Sequence, residues 1–366
     1  MKMSGGAIRW DNSALFRLLV PLIIEQILAL TMGTADMMMV SFVGEYAVSS
    51  VNIVNNINNL LIIAFIALST GGAVVASQYI GRRDAINAGN AAKQLLYLVS
   101  LVAIVMMLFA VVLRRALVRL LYGALATDVM DAAALYLFVT ALSYPFLALN
   151  HAGAALFRAT GNSHTPMKVA LLANVMNVGG NAVFIFVLHL GIFGAALATL
   201  ISRIIGALFL TGLLLVKGSG PIRLRDIFNI KPVWRMIRQI ARVGIPGGLE
   251  SSMFNIGRLL TQRIYTPFGT STIAANAIAT AVDSFTIMPA MAFGMTLLTV
   301  VGQCVGARDL KEAKRLTAKI IKLCYAVLFF INGAVYIFMD PIIRLFHLSN
   351  EAHGLARVFI LVTCIT

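Results

Sequence analysis

Ten apolar stretches, separated by charged residues or by Gly, Pro and Asn breaks, run over about 14–43, 47–76, 92–113, 131–150, 166–188, 191–216, 240–266, 272–304, 318–339 and 353–366. A helix needs roughly 20 mostly apolar residues to cross a bilayer, and hydrocarbon admits only spanning helices or closed barrels. Stretches of this length predict an all-α polytopic membrane protein. Composition agrees: 60% of the 366 residues are hydrophobic and only 12% are charged, against about a quarter charged in soluble domains. A water-soluble enzyme, a disordered chain and a collagen-like repeat are thereby excluded. So is a disulfide scaffold, because only Cys304, Cys324 and Cys364 occur, all within apolar stretches. Met1 to Ser13 shows no cleavable signal pattern and reads as a soluble arm leading into the first span.

A net charge of +15 would point to nucleic acid in a soluble protein. In a membrane protein its distribution matters instead, because Lys and Arg collect on the cytoplasmic side. With the N-terminus inside, segments 1–17, 82–93, 158–168, 217–242 and 308–322 hold 21 of the 29 basic residues. The expected location is a bacterial inner membrane, with lipid as the surrounding partner, no nucleic acid, and a monomeric chain. Arg114, Arg115 and Arg119 break the pattern, and Trp10 and Trp234 sit where interfacial anchors would.

Sliding the sequence by 225 positions pairs Arg17 with Arg242, Pro21 with Pro246, Glu25 with Glu250, Gly44 with Gly269, Gln78 with Gln303, Gly81 with Gly306, Arg83 with Arg308, Asp84 with Asp309 and Ala88 with Ala313, without a gap. Six spans fill one period, so both halves cross the membrane in the same sense as parallel repeats. The expected organisation is an N-terminal lobe of six helices over 1–217, a cytoplasmic linker over 218–238 and a C-terminal lobe over 239–366. The linker follows the turn-forming Gly218-Ser219-Gly220-Pro221 and is expected to hold a lying-down amphipathic helix. Two full periods need 450 residues, 84 more than are present, so the second lobe is read as cut short within its tenth helix. Gln-x-x-Gly near the ends of the second and eighth spans reads as a glycine C-cap followed by an Arg at the carbonyl end of the helix dipole.

Ionisable residues inside spans cost on the order of 2.5 kcal/mol or more at mid-membrane and mark cavities or partners. Glu25 and Asp36 lie eleven positions apart on the first span, about three turns and roughly 16 Å along one face. Asn174, Asn177 and Asn181 form a polar stripe on the fifth. Asp36 is read as the carboxylate that takes up and releases a coupling cation, with Asn177 and Asn181 as neutral oxygen ligands; helix-to-helix hydrogen bonding by the amides is the alternative. A protonated acid would carry H+, and an ionised one ringed by amide oxygens would hold Na+. In the second half Glu250 and Asp283 are the corresponding candidates, Pro246 opening backbone carbonyls near Glu250. Asp283 could instead pair with Arg258 or Arg263, and Arg203 with Glu25. Pro21, Pro246, Gly81 and Gly306 are read as structural or hinge positions. Met37, Met38 and Met39 could line a pliable cavity or simply pack. No metal-ligand spacing occurs among the histidines, so no cofactor is expected beyond a coupling H+ or Na+.

Three segments carry a resemblance: Gly71 to Asp84 (GGAVVASQYIGRRD), its second copy Val301 to Asp309 (VGQCVGARD), and Phe157 to Met167 (FRATGNSHTPM). The sequence resembles the multidrug and toxic compound extrusion (MATE) family of cation-coupled exporters. The resemblance implies twelve helices in two six-helix lobes and a cation-site Asp on the first helix at Asp36. It also implies a cation-binding Glu at Glu250, partnered by an acid on the tenth helix. Many members have Asp where Asn181 stands, which bears on purely proton-coupled chemistry in this lobe.

The resulting expectation is a secondary active antiporter that exchanges H+ or Na+ for amphipathic cationic organic compounds. A flippase for lipid-linked precursors would need a basic cavity, and few basic residues lie in the spans. A membrane-embedded enzyme lacks Gly-x-Ser-x-Gly and His-Glu-x-x-His motifs, and an ion channel lacks a repeated selectivity loop. No Gly-x-x-x-x-Gly-Lys-Ser/Thr nucleotide motif is present.

Overall fold

The computed structural model describes residues 3–4, 7–8, 10–123, 126–224, 231–265, 270–344 and 350–365. A two-residue strand pair, Met3–Ser4 with Ala7–Ile8, precedes an otherwise helical chain. Helix α1 is Asn12–Ser41, α2 Glu45–Gly81, α3 Ala85–Val112, α4 Arg114–Tyr122, α5 Thr127–Leu142, α6 Tyr144–Ala159, α7 His164–Asn181 and α8 Gly191–Val216. The second half holds α9 Trp234–Tyr265, α10 Thr270–Gly306, α11 Leu310–Ile337, α12 Met339–Arg344 and α13 Asn350–Ile365.

Among the described residues seven helices are long and apolar enough to cross a membrane, and α5 and α6 pass the same test together as a pair bent by 47°. Their outer faces are apolar: Leu101, Val112, Phe329 and Phe330 are among many large exposed hydrophobics, as expected of faces turned to lipid. The span expected at 131–150 is this bent pair, broken at Ser143. Pro145 opens α6 in the first turn, where its missing N–H costs nothing. Helix α9 has the length of a span, 32 residues, but its Arg242, Glu250, Arg258 and Arg263 set it apart from the apolar seven. It packs along α2.

Several local expectations change. Arg114, Arg115 and Arg119 belong to the short helix α4, where Arg114 lies over the Phe138 ring at 5.1 Å and Arg115 pairs with Asp131 at 2.7 Å. Trp10 is buried rather than interfacial: it joins Leu15, Leu18, Phe293 and Leu316, and faces Gly161. Trp234 is exposed. Of the linker helix expected over 218–238, residues 225–230 lie outside the described part. Before them Ser219 and Ile222 form a bridge, and after them helix begins only at Trp234 and continues as α9. The side chains of Arg263 and Cys364 also lie outside it.

The two ends of the repeat motif fold alike. Arg83 N donates to Ile80 O and Asp84 N to Tyr79 O; Arg308 N donates to Val305 O and Asp309 N to Cys304 O, all at 3.0–3.1 Å. The left-handed residue of each turn is Arg83 or Arg308, both at φ 60°, not the glycine. The glycine C-cap expectation is therefore corrected. Gly81 and Gly306 are there for close approach: a Cβ on Gly81 would land on the Gln303 carbonyl, and one on Gly306 on the Gln78 carbonyl. Gly71 and Gly244 do the same where α2 crosses α9. Asp84 and Asp309 then cap the following helices by accepting from Asn87 N and Glu312 N, each at 3.0 Å.

A polar pocket on α1, α7 and α8, and a cleft between the halves

Helix α7 lies between α1 and α8 and brings its amide stripe against both. Asn174 Nδ2 donates to the Leu28 carbonyl of α1 at 2.7 Å. One turn further on, Asn177 Nδ2 donates to Thr199 Oγ1 of α8 at 3.4 Å, and Asn181 Nδ2 donates to Asp36 Oδ1 at 2.5 Å. Chemistry fixes these amide orientations. A carboxylate can only accept, and the Thr199 hydroxyl spends its proton on the Ala195 carbonyl. The Oδ1 atoms of Asn177 and Asn181 are consequently buried without a partner, and buried acceptors of that kind call for an explanation. Directly after Asn181 the helix widens into a π-helical stretch, Ala182–Val187, a local form frequent at functional sites.

Two further groups stand near enough to interact with the Asp36 charge: Tyr136 of α5 and Arg203 of α8. Arg203 donates to Ser143 Oγ at 2.7 Å, at the break between α5 and α6. Next to that break Tyr144 Oη donates to Asn58 Oδ1 at 2.6 Å. Arg203 does not pair with Glu25. Glu25 bonds instead to Arg158 at 2.8 Å, with side-chain exposures of 17% and 12%. Thr199 and Tyr136 carried no sequence signal, since single hydroxyls are common in apolar helices. Arg203 did carry one, as the lone basic residue of its span.

Asp36 and Asn181 thus meet, and Asn177, one turn earlier on the same helix, bonds to Thr199. Glu250 does not join them: it is exposed on α9, and among the described residues no side chain bonds to it. Asp283 lies elsewhere, lining a cavity of about 1050 Å3 between α2, α9, α10 and α13 together with Arg258. The cavity also carries Asn56, whose Nδ2 donates to Tyr122 Oη at 3.0 Å. Met37 and Met39 pack against the core around Val40 and Ile185, and Met38 is exposed. Helix α1 runs on through Pro21, and α9 through Pro246.

A bundle of long apolar helices with a polar pocket at α1, α7 and α8 and a cavity where α2, α9, α10 and α13 meet defines a polytopic membrane transporter fold. The sequence profile of the MatE family matches residues 21–183 and 246–366, and the chain belongs to that family of multidrug efflux transporters. The two matches begin at Pro21 and Pro246, the offset of the internal repeat. The chain is 27% identical over 347 residues to a probable multidrug resistance protein NorM of Thermotoga maritima, covering 91% of this chain and 71% of that one. It is 26% identical over 359 residues to an FAD transporter of Shewanella oneidensis, covering 95% and 77%. Among solved structures it is similar to a MATE protein in the bent conformation, with a TM-score of 0.88, 22% identity and coverage of 96% and 79%. A MOP superfamily transporter from Pyrococcus furiosus gives 0.87, 22%, and coverage of 100% and 81%.

Proposed function

We propose that this chain is a secondary active exporter in which entry of H+ or Na+ at Asp36 drives extrusion of amphipathic organic compounds bearing a cationic group. The observation that carries the reading is the pairing of the Asp36 carboxylate with Asn181 beside two buried, unpartnered amide oxygens. In the described geometry the Asn181 N–H group occupies one carboxylate oxygen. An arriving proton would remove the charge that holds this bond. An arriving Na+ would take the carboxylate together with the Asn177 and Asn181 oxygens, ligands of the hard type that this ion prefers. Either event releases or turns Asn181 at the start of the π-helical stretch, and so changes how α7 sits on α1 and α8.

The cleft between the halves is the substrate path in this reading. The contacts between Gln78–Gly81 and Gln303–Gly306 close one end of it, and the cavity around Asn56 and Asp283 lies toward the other. With the N-terminus cytoplasmic in a bacterial inner membrane, this is an outward-open arrangement. The relatives named for multidrug resistance support drug-like organic compounds as the substrates. The test is dye efflux from proteoliposomes with Na+ and H+ gradients varied independently. The proposal requires gradient-driven efflux by the wild type and its loss in Asp36→Asn; equal efflux by both would overturn it.

A further inference from the structure

The cavity between the halves is not the purely acidic pocket that a receptor for simple cations would present. Arg258 and Asp283 both line it, and among the described residues neither is engaged by another side chain. Charges inside a membrane protein are costly and persist where they serve a purpose. These two are also not inherited from the repeat: shifted by 225 positions, Arg258 falls on Gly33 and Asp283 on Asn58. Asn58 is buried and bonded to Tyr144, so the first half has no counterpart of this charged pair. The same cavity is lined by the amides Asn59, Asn255 and Asn276 and by an apolar set that includes Ile63, Ile66 and Phe254. Asn255 gives one N–H to the Ser251 carbonyl at 2.8 Å and keeps its oxygen and second N–H.

We propose that Arg258 is a specificity-determining residue that takes the carboxylate of an amphoteric solute, whose cationic group is directed to Asp283 and whose apolar body lies on Ile63, Ile66 and Phe254. A guanidinium presents a planar fork that matches a carboxylate with two parallel hydrogen bonds, while a solute with only positive charge meets repulsion there. The assignment rests on the reading of the cleft as the substrate path and narrows its substrate class from cations to compounds carrying both charges.

The experiment uses a matched pair of dyes, rhodamine B with its free carboxylate and rhodamine B ethyl ester without it. Binding of each to the detergent-solubilised full chain is followed by fluorescence anisotropy. Wild type binds the acid about 10-fold or more tighter than the ester, the scale of one charge-assisted hydrogen-bonding contact. Arg258→Gln brings that ratio to about one or inverts it, and Arg258→Lys, which keeps charge but loses the fork, leaves part of it. Asp283→Asn weakens both dyes, because both carry the cationic ring system. Because the readout is a ratio within each variant, partial loss of folded protein does not change it. Equal binding of the two dyes by wild type, an unchanged ratio in Arg258→Gln, or binding of neither dye overturns the assignment. Efflux is scored separately: discriminating binding without gradient-driven efflux sinks the exporter reading and leaves Arg258 its role, whereas efflux of both dyes without discrimination does the reverse.

Discussion

In the proposed exporter the bond from Asn181 to Asp36 at 2.5 Å is the contact that an arriving cation weakens or displaces, because the amide N–H holds one carboxylate oxygen and the amide oxygen can reach a cation there only by rotating. Asn181→Leu removes the donor and one of the two free oxygens together. A hydrogen bond to a charged group is worth about 1.5–3 kcal/mol, so the H+ or Na+ concentration for half-maximal efflux shifts by roughly 10-fold or more. An unchanged half-saturation point in liposomes would remove Asn181 from the site. The pair formed by Glu25 and Arg158 permits a test that does not involve transport. Taking away one partner of a largely buried ion pair costs about 3–5 kcal/mol, because the other charge is left stranded. Arg158→Leu therefore destabilises the solubilised protein strongly, and adding Glu25→Leu recovers most of the loss, as thermal unfolding of the two variants would show. Asp36, Asn177 and Asn181 were legible in the sequence because a polar residue in an apolar run has little else to do. The partner of Glu25 was not: which helix face meets which is a property of packing, and Arg158 sits at the end of a span where a basic residue has an ordinary explanation.

At the scale of the element, the turns after α2 and α10 show which part of a motif is readable. The glycine, arginine and aspartate of the motif recur at an offset of 225, and sequence alone identifies the two segments as copies. Their division of labour was not readable, because a glycine can serve positive φ or close approach, and only neighbouring helices decide between them. The cap itself has a pH signature. Asp84 is held below the ordinary carboxylate value of 3.8 by the Asn87 backbone N–H and side chain that it accepts from. A lowered folded pKa means that the contribution is fully present above the unfolded value and is lost as pH falls below it. Asp84→Ala should therefore lower the Tm at pH 7, by an amount that shrinks as pH falls through the carboxylate range, while Asp84→Asn, which still caps, should stay near wild type at pH 7. A gap between wild type and Asp84→Ala that does not narrow over that range would show that the cap acts through something other than the ionised carboxylate. The bend between α5 and α6 escaped the apolar pattern for a related reason. Hydropathy reports that a segment is in the membrane but is indifferent to a break, and Pro145 marks a break only if the helix starts there rather than kinks.

For the whole molecule, the internal offset made two similar halves legible, but not the state in which they are packed. That state is set where α2 and α10 meet. The contact is reciprocal: each glycine lies under the other helix's glutamine carbonyl, with no room for a Cβ on either. Gln303 Nε2 adds a buried bond to the Ala159 carbonyl at 2.8 Å, tying α10 to the end of α6 beside Arg158. In the proposed exporter, alternating access requires this contact to part, so any group that crowds it acts on the closed form alone. Overpacking costs typically 1–3 kcal/mol, which moves a closed-to-open ratio by roughly 5- to 150-fold. Gly306→Ala is thus a small substitution with a large expected effect on population. Spin labels at the exposed Ile86 and Leu310, where α3 and α11 begin, would report it as a shift from one short distance toward longer ones. Gly294→Ala on the same helix is the control, since a Cβ there meets nothing within 4 Å. If the two substitutions left the same distance distribution, the crossing would be ordinary helix packing, and the closing of this end of the cleft would have to be sought in the contact of α2 with α9.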